Sequence, residues 1–131
     1  MSHRLRPDVA IILEGTTAGD LPDAKDHLKV CGPGQGAVLP FMDNSALYGR
    51  ELWLELKKLA EQKGIRYQIK KYVSGGTDAG AIQRAAAGTK VAAISAAVRY
   101  IHSPSCVASM DDFDEIYKLA AAYLELNRKE D

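Results

Sequence analysis

The sequence has no excess of charge of either sign and no long apolar run. Its 131 residues carry 17 basic and 17 acidic side chains, and no basic run exceeds two residues. A nucleic-acid surface is therefore not expected, and no stretch approaches the roughly 20 apolar residues of a membrane span. The N-terminus shows no signal-peptide pattern, which favours a cytoplasmic location.

Cysteine and tryptophan are scarce. Cys31 and Cys106 are the two cysteines, and two widely separated thiols in a reducing compartment are expected to be free rather than bridged. The single tryptophan, Trp53, offers little surface on which a sugar could stack. With 47% hydrophobic residues, the chain is predicted to form one domain over residues 1–131, with a flexible N-terminus at residues 1–6.

Hydrophobic patterning predicts strands that alternate with helices. The order β-β-α-β-α-β-α is typical of a three-layer α/β/α sandwich. Pro40 is expected to place the second strand at a sheet edge or to make it irregular. The predicted strands are 8–13, 37–42, 65–72 and 91–98, and the predicted helices are 44–63, starting at Asn44 or Ser45, 78–87 and 111–127.

Two side chains suited to metal binding follow apolar runs. Glu14 comes directly after the first strand, and His102 follows the run 91–98 and precedes Pro104. Open α/β sheets build their sites where strands leave the sheet, so Glu14 and His102 are candidate metal ligands. A hydrogen-bonded structural histidine is the alternative for His102.

A glycine pair, 75–76, precedes Thr77 and Asp78 at a predicted helix start. Thr77 can cap that helix, and the free N–H groups of a helix start can receive an anion or a substrate carboxylate. Thr77, Asp78 and Arg99 are therefore candidate substrate-binding residues. The alternatives are a purely structural helix start for Asp78 and a structural ion pair for Arg99.

These segments together resemble the C-terminal part of the catalytic domain of the M42 metallo-aminopeptidases. That family includes tetrahedral, self-compartmentalising aminopeptidases and proteins labelled endoglucanase M. GGTDAG followed by RYIHSP is the most specific part of the resemblance. The matching pieces, in the family's order, are PDVAI at 7–11, Glu14, AGD at 18–20, GQG at 34–36, GIRYQ at 64–68, GGTDAG at 75–80 and RYIHSP at 99–104.

The resemblance implies a partial zinc-peptidase (phosphorylase/hydrolase-like) sandwich, a peptide substrate and assembly into homo-oligomers. It also implies two divalent metals, zinc or cobalt, with Glu14 and His102 at the last two ligand positions, each on a different metal. The family's first histidine, bridging aspartate and Glu-Glu pair, which carries the general base, have no counterpart. The chain contains neither a Glu-Glu nor a His-x-Asp sequence.

This absence bears directly on catalysis. A hydrolytic zinc site typically needs three protein ligands and a water molecule, and two ligands do not make that site. The spacing of Asp43, Asp78 and Asp111 does not recommend them as replacements. No residue is therefore assigned as catalytic.

Three functions remain open. The favoured one is a truncated half of an M42-like aminopeptidase that keeps two ligand positions and is inactive alone. The second is a non-catalytic binding or assembly module with a weak metal site. The third is a glycoside hydrolase that would use Glu14 and Asp20 as its paired carboxylates. A partial sheet also leaves strand edges and apolar surface exposed, which predicts self-association.

Overall fold

A computed structural model describes residues 2–85 and 87–128. Its described residues form one mixed sheet with the order β1-β4-β2-β3. Strands β1 and β4 are parallel, β2 is antiparallel to β4, and β3 is parallel to β2. The elements are α1 (Ser2–Leu5), β1 (Val9–Thr17), a 3-10 turn (Asp26–Leu28), β2 (Ala37–Leu39), α2 (Arg50–Lys63), β3 (Tyr67–Ile69), α3 (Ala79–Gln83), β4 (Lys90–Val98) and α4 (Met110–Leu126).

Helices cover both faces of the sheet. On one face, apolar side chains of α2 and α4, including Leu56 and Leu119, pack against β2 and β4. On the other face, α3 and the segment before α2 cover the first halves of β1 and β4, and Tyr48 and Ala79 are buried there. The predicted three-layer α/β/α sandwich and the predicted order of strands and helices are thus confirmed. No helix among the described residues has the length and apolarity needed to cross a membrane.

Strand β1 is longer than predicted. Its pairing with β4 continues from Val9 opposite Lys90 to Thr17 opposite Val98 without a bulge. Glu14 therefore lies inside the strand and is only partly exposed, so its predicted position at the strand's end was wrong. The residues after Glu14 have a composition typical of a turn, but each of them up to Thr17 pairs with a residue of β4. This pairing outweighs their local preference.

Helix α2 begins later than predicted, at Arg50 instead of Asn44 or Ser45. The Asp43 carboxylate accepts hydrogen bonds from the backbone N–H groups of Ser45 and Ala46 at 2.6 and 2.8 Å. These bonds close a turn that competes with a helix start. The helix ends as predicted, with Gly64 in the left-handed conformation that a C-terminal cap requires.

The shorter elements are trimmed in a similar way. Strand β2 ends at Leu39, since Pro40 has no N–H to donate. It lies between β4 and β3, so of the two predicted alternatives, an edge strand or an irregular one, the edge position was wrong. Strand β3 covers three of the eight predicted residues, and α3 ends at Gln83 instead of 87. Residue 86 of that predicted helix lies outside the described residues. Strand β4 and helix α4 begin and end within one residue of prediction.

The remaining predictions on the chain's organisation have mixed outcomes. Cys31 is buried and Cys106 is exposed, and both are free, as predicted. Ser2–Leu5 form a single helical turn, and the flexibility of residues 1–6 stays a prediction.

A buried carboxylate joins α4 to the glycine-rich loop before β2. Asp112 is fully buried and accepts hydrogen bonds from the N–H groups of Gly34 and Gly36, both at 2.8 Å. Gly36 has a φ of +95°, and a Cβ at this position would lie 2.3 Å from the carbonyl oxygen of Arg66. The loop therefore requires glycine here, and Asp112 satisfies the N–H groups that its sharp course exposes.

Replacement of Asp112 by alanine is expected to lower the free energy of unfolding by about 3 kcal/mol, because two backbone donors lose a charged acceptor inside the protein. Urea unfolding followed by circular dichroism measures this loss. The matched control is Asp111→Ala in the same helical turn, since the Asp111 side chain is mostly exposed and its ion pair with Arg66 spans 3.9 Å. The control is expected to change stability by less than about 0.5 kcal/mol. Equal losses in both variants would contradict the anchoring role of Asp112.

Candidate functional site

Glu14 lies on the face of the sheet that α3 covers. Successive side chains of a strand alternate between faces, so Glu14 shares its face with Ala10 and Ile12, which pack beside α3. Its neighbour in the register is Ser95 of β4. The Ser95 hydroxyl is buried and has no hydrogen-bond partner among the described residues. A carboxylate and an unsatisfied hydroxyl thus lie side by side where the cover of α3 ends.

The surroundings of Glu14 favour its neutral form. Burial, together with the negative charges of Asp43 and Asp78, raises the pKa of its carboxyl group to about 7, although Lys70 opposes this rise. The carboxyl group is therefore about half ionised at neutral pH. A bound cation or a hydrogen-bond donor would favour the ionised form.

Asp43 is the most highly connected carboxylate of the site. Besides its two backbone bonds, it accepts hydrogen bonds from the Ser45 hydroxyl at 2.8 Å and the Tyr48 hydroxyl at 2.6 Å. Burial alone would raise the pKa of Asp43, but the hydrogen bonds from Tyr48, Ser45 and Ala46 together lower it below the ordinary value. Asp43 is therefore a fixed negative charge beside Glu14.

The Asp43 turn also fixes the segment before α3. The single proton of the Ser45 hydroxyl is shared between Asp43 and the Thr77 carbonyl oxygen, which lies 3.0 Å from the hydroxyl oxygen, and that oxygen accepts a hydrogen bond from the Thr77 N–H at 3.1 Å. The Thr77 hydroxyl lies 3.3 Å from the Tyr48 hydroxyl and accepts a hydrogen bond from the N–H of Ala79 at 3.1 Å. Thr77 thus caps the first turn of α3, as the sequence predicts, and holds the exposed Asp78 next to this network.

Lys70 brings a cation to the same face. It follows β3, is almost fully buried and donates a hydrogen bond to the carbonyl oxygen of Ser74 at 2.7 Å. Burial lowers the pKa of its ammonium group, while the nearby Asp43 and Glu14 carboxylates oppose this effect. Lys70 therefore reduces the negative charge that Asp43 and Asp78 create around Glu14.

His102 lies on the turn that follows β4. The turn is closed by pairing between Arg99 and Val107, and Tyr100 and His102 have φ values of +56° and +66°. The imidazole of His102 is exposed. Since β4 is adjacent to β1, the turn with His102 begins one strand away from the strand that carries Glu14.

Arg99 forms a two-pronged ion pair with Asp20. Its Nε and Nη2 atoms donate to the two carboxylate oxygens of Asp20 at 2.9 and 2.7 Å. These hydrogen bonds lower the pKa of Asp20. The pair ties the end of β4 to the loop after β1. It also leaves both carboxylate oxygens of Asp20 bonded to Arg99.

The structure thus brings together Glu14, Thr77 and Asp78 of the predicted site residues and adds Asp43 to them. Asp111 lies elsewhere, at the start of α4. Sequence reasoning did not assign a role to Asp43, Tyr48 or Lys70. Only Asp43 had a usable signal, since an aspartate two residues before a serine is typical of a side-chain-stabilised turn.

Comparison with known proteins gives the family. The model of the M42 glutamyl aminopeptidase family matches residues 1–119, and the chain therefore belongs to the M42 peptidase family. An aminopeptidase-like protein of Acetivibrio thermocellus is 36% identical over 115 residues, which cover 88% of this chain and 34% of that protein. The chain thus spans about a third of the length of the curated relatives that it matches.

Solved structures of the family have the same fold. Aminopeptidase APDkam598 from the archaeon Desulfurococcus kamchatkensis is 30% identical and superposes with a TM-score of 0.91, over 95% of this chain and 36% of that protein. The TET1 peptidase of Pyrococcus horikoshii is 31% identical with a TM-score of 0.71, over 89% of this chain and 33% of that protein. The latter can assemble into a tetrahedron or a large octahedral shell.

M42 aminopeptidases are metal-dependent enzymes, so the donor set of this chain matters. Within residues 2–85 and 87–128, no three side chains of the types His, Cys, Asp and Glu are grouped so that they could hold a metal ion. Asp43 and Asp78 are close enough to Glu14 to raise its pKa, but they do not complete such a group. The described residues therefore do not by themselves fit a resident divalent metal.

Asp43 is expected to make the stability of the chain depend on pH. Its pKa is lower in the folded state, so its contribution is fully present above the ordinary value of 3.8. That contribution is lost as the pH falls from there through the folded-state value. Asp43→Asn is expected to lower the urea midpoint at pH 7 and to flatten its decline between pH 5 and about pH 2.

The matched control for this measurement is Asp23→Asn, because Asp23 lies exposed in a loop. It is expected to follow the wild type at every pH. If the profiles of Asp43→Asn and the wild type run parallel below pH 5, the assigned role of Asp43 is wrong.

Proposed function

We propose that this chain serves the metal-dependent removal of amino-terminal residues from peptides, as the C-terminal part of an M42 catalytic unit. Membership of the M42 family supports the reaction class. The observation that carries the proposal is the partly buried carboxyl group of Glu14, whose pKa of about 7 is typical of a side chain placed for a cation or a proton.

In this proposal, Glu14 and His102 are ligands of two different divalent ions, zinc or cobalt. Glu14 lies on β1 and His102 follows the adjacent strand β4, which supports the assignment, since adjacent strands can direct ligands to one cleft. Such an ion would supply Lewis-acid activation of the peptide carbonyl group. Thr77, Asp78 and Arg99 are proposed to contact the peptide substrate, and Asp43 positions Thr77 through Ser45.

The 131 residues are proposed to be inactive on their own. Their sequence contains no Glu-Glu pair, which in the resembled enzymes includes the general base, and the described residues group no three metal-binding side chains. Hydrolysis would then require residues that correspond to the other two thirds of the relatives' length. We also propose that the chain acts in the cytoplasm and forms homo-oligomers, as the assembly of the TET1 peptidase suggests.

A non-catalytic assembly module is the second candidate function. Large apolar side chains on α4, such as Tyr117 and Leu124, are mostly exposed, which favours an interaction surface. No comparable observation favours a glycoside hydrolase, because Asp20 is held by Arg99.

A chimera tests the proposed aminopeptidase role. The 131 residues replace the matched third of APDkam598, and hydrolysis of unblocked aminoacyl substrates is measured with zinc or cobalt. We expect turnover by the chimera and none by the 131 residues alone. Glu14→Ala and His102→Ala are each expected to reduce turnover at least about 100-fold, since loss of a residue that merely hydrogen-bonds a metal ligand already costs about 10- to 100-fold.

His27→Ala is the matched control, because His27 is an exposed histidine of the 3-10 turn and has no proposed role. It is expected to keep wild-type turnover. Calorimetric titration of the isolated 131 residues with zinc and cobalt provides a second readout. Tight binding of two ions with turnover by the isolated chain would contradict the proposal. A folded chimera whose activity survives both ligand substitutions would contradict it equally.

A further inference from the structure

The turn that carries His102 has a strained backbone. Tyr100 and His102 have φ values of +56° and +66°, in the left-handed region that residues other than glycine rarely adopt. The turn spans residues 99–107, and two backbone hydrogen bonds between Arg99 and Val107, at 2.9 and 3.1 Å, close its base. Strained residues persist only where the surrounding structure holds them. A contact from outside the turn is therefore expected to help to fix it.

The side chain of Asp20 provides such a contact. It reaches the base of the turn from the loop after β1 and accepts both hydrogen bonds of the two-pronged pair with Arg99. Asp20 is 18% exposed, so water screens the pair only in part. Two parallel bonds between ionised partners fix the direction of the arginine as well as its distance. The pair therefore restrains the end of β4 where the turn begins.

The loop after β1 holds Asp20 in place independently of Arg99. Ala18 is fully buried, its N–H group donates to the carbonyl oxygen of Val98 at 3.0 Å, and its own carbonyl oxygen accepts two further backbone hydrogen bonds. A Cβ on Gly19 would collide with the carbonyl oxygen of Leu28, so the loop passes too close for a larger residue. Asp20 is thus the anchored partner of the pair, and the turn is the part that the pair restrains.

We propose that Asp20 is a positioning residue for His102, because it holds the 99–107 turn in its strained conformation through Arg99 and so fixes the place of the imidazole relative to Glu14. The inference rests on the role of His102 in the proposed function. Asp20 follows the strand that carries Glu14, so the pair links the two strands that bear the candidate ligands. Arg99 remains 39% exposed, which leaves room for its proposed contact with a peptide.

Nuclear magnetic resonance on the isolated 131 residues tests the turn. Three-bond couplings and Cα shifts report φ at Tyr100 and His102. Hydrogen exchange reports the N–H groups of Ser103 and Val107, which bond within the turn. Asp20→Ala is expected to move both φ values towards ordinary ones and to speed exchange of the two amides about 5- to 10-fold, because hydrogen bonds between charged groups are lost. The amides of β4 are expected to exchange at their wild-type rates.

Asp26→Ala is the matched control, because it removes an ion pair of the same loop, with Lys29 at 2.9 Å, that lies outside the turn. It is expected to leave the turn unchanged. Tyr100→Gly supplies a rescue, since Tyr100 is 53% exposed and glycine adopts a positive φ without strain. Added to Asp20→Ala, it is expected to return the exchange rates to within about 3-fold of the wild type, because the relieved strain is similar in size to the lost pair.

The chimera with APDkam598 tests the consequence for catalysis. Asp20→Ala is expected to lower kcat about 10- to 100-fold at a nearly unchanged KM, because a displaced active-site group slows the reaction while Thr77 and Asp78 still contact the substrate. Tyr100→Gly is expected to recover part of this loss, and Asp26→Ala is expected to keep the wild-type kcat.

Wild-type φ values and exchange rates in Asp20→Ala would overturn the positioning role. Equal acceleration of exchange in the turn and in β4, or no rescue by Tyr100→Gly, would also overturn it, since the pair would then stabilise the fold in general. A loosened turn in an active chimera with the wild-type kcat would overturn it equally. Because the resonance measurements need no turnover, an inactive wild-type chimera would contradict the proposed function while they still decide the role of Asp20.

Discussion

A single buried carboxylate, that of Asp43, organises the side of the sheet on which Glu14 lies. Four donors converge on it, from two backbone N–H groups and the hydroxyls of Ser45 and Tyr48. Asp43 can carry its charge inside the protein because these four hydrogen bonds replace nearly all of its hydration. These bonds add to the backbone pairing that fixes the segment before α2, and they hold Ser45 where it bonds to Thr77. The position of Thr77, a candidate substrate-binding residue, therefore depends on Asp43, which has no proposed contact with the substrate.

Asp43 also determines the electrostatics of the site. Because its hydrogen bonds keep it ionised, its charge reaches Glu14 undiminished and helps to raise the pKa of that carboxyl group. Lys70 acts in the opposite direction from the end of β3. Glu14 thus lies between a fixed anion and a buried cation, and small changes in either neighbour alter its ionisation near neutral pH.

Patterning predicted the layers of this fold well because long-range packing agrees with local preference there. The 91–98 run is apolar apart from Ser95, as expected of a strand buried on both faces, and α4 has both an acidic first turn and an apolar stripe. Prediction failed where a side chain or a neighbouring strand outweighed local preference. The Asp43 turn shifts the start of α2 to Arg50, and pairing with β4 extends β1 past Glu14. The pairing of β1 with β4 cannot be located from sequence spacing, because it joins distant parts of the chain. The Asp43 turn had only the local Asp-x-Ser signal, which competed with the signals for a helix start.

The register between β1 and β4 has a further consequence for the evolution of this site. Side chains alternate along a strand, so the number of residues between the start of the pairing and Glu14 decides which face Glu14 occupies. An even number and an odd number direct it to opposite faces, one covered by α3 and the other by α4. A deletion of one residue between Val9 and Leu13 would move the carboxylate to the opposite face of the sheet and put Gly15 in its place beside Asp43. Only insertions or deletions of an even number of residues in this stretch would therefore keep Glu14 on its face of the sheet. The face that Glu14 occupies is thus set by its spacing along the strand and not by a contact that a point mutation could remove.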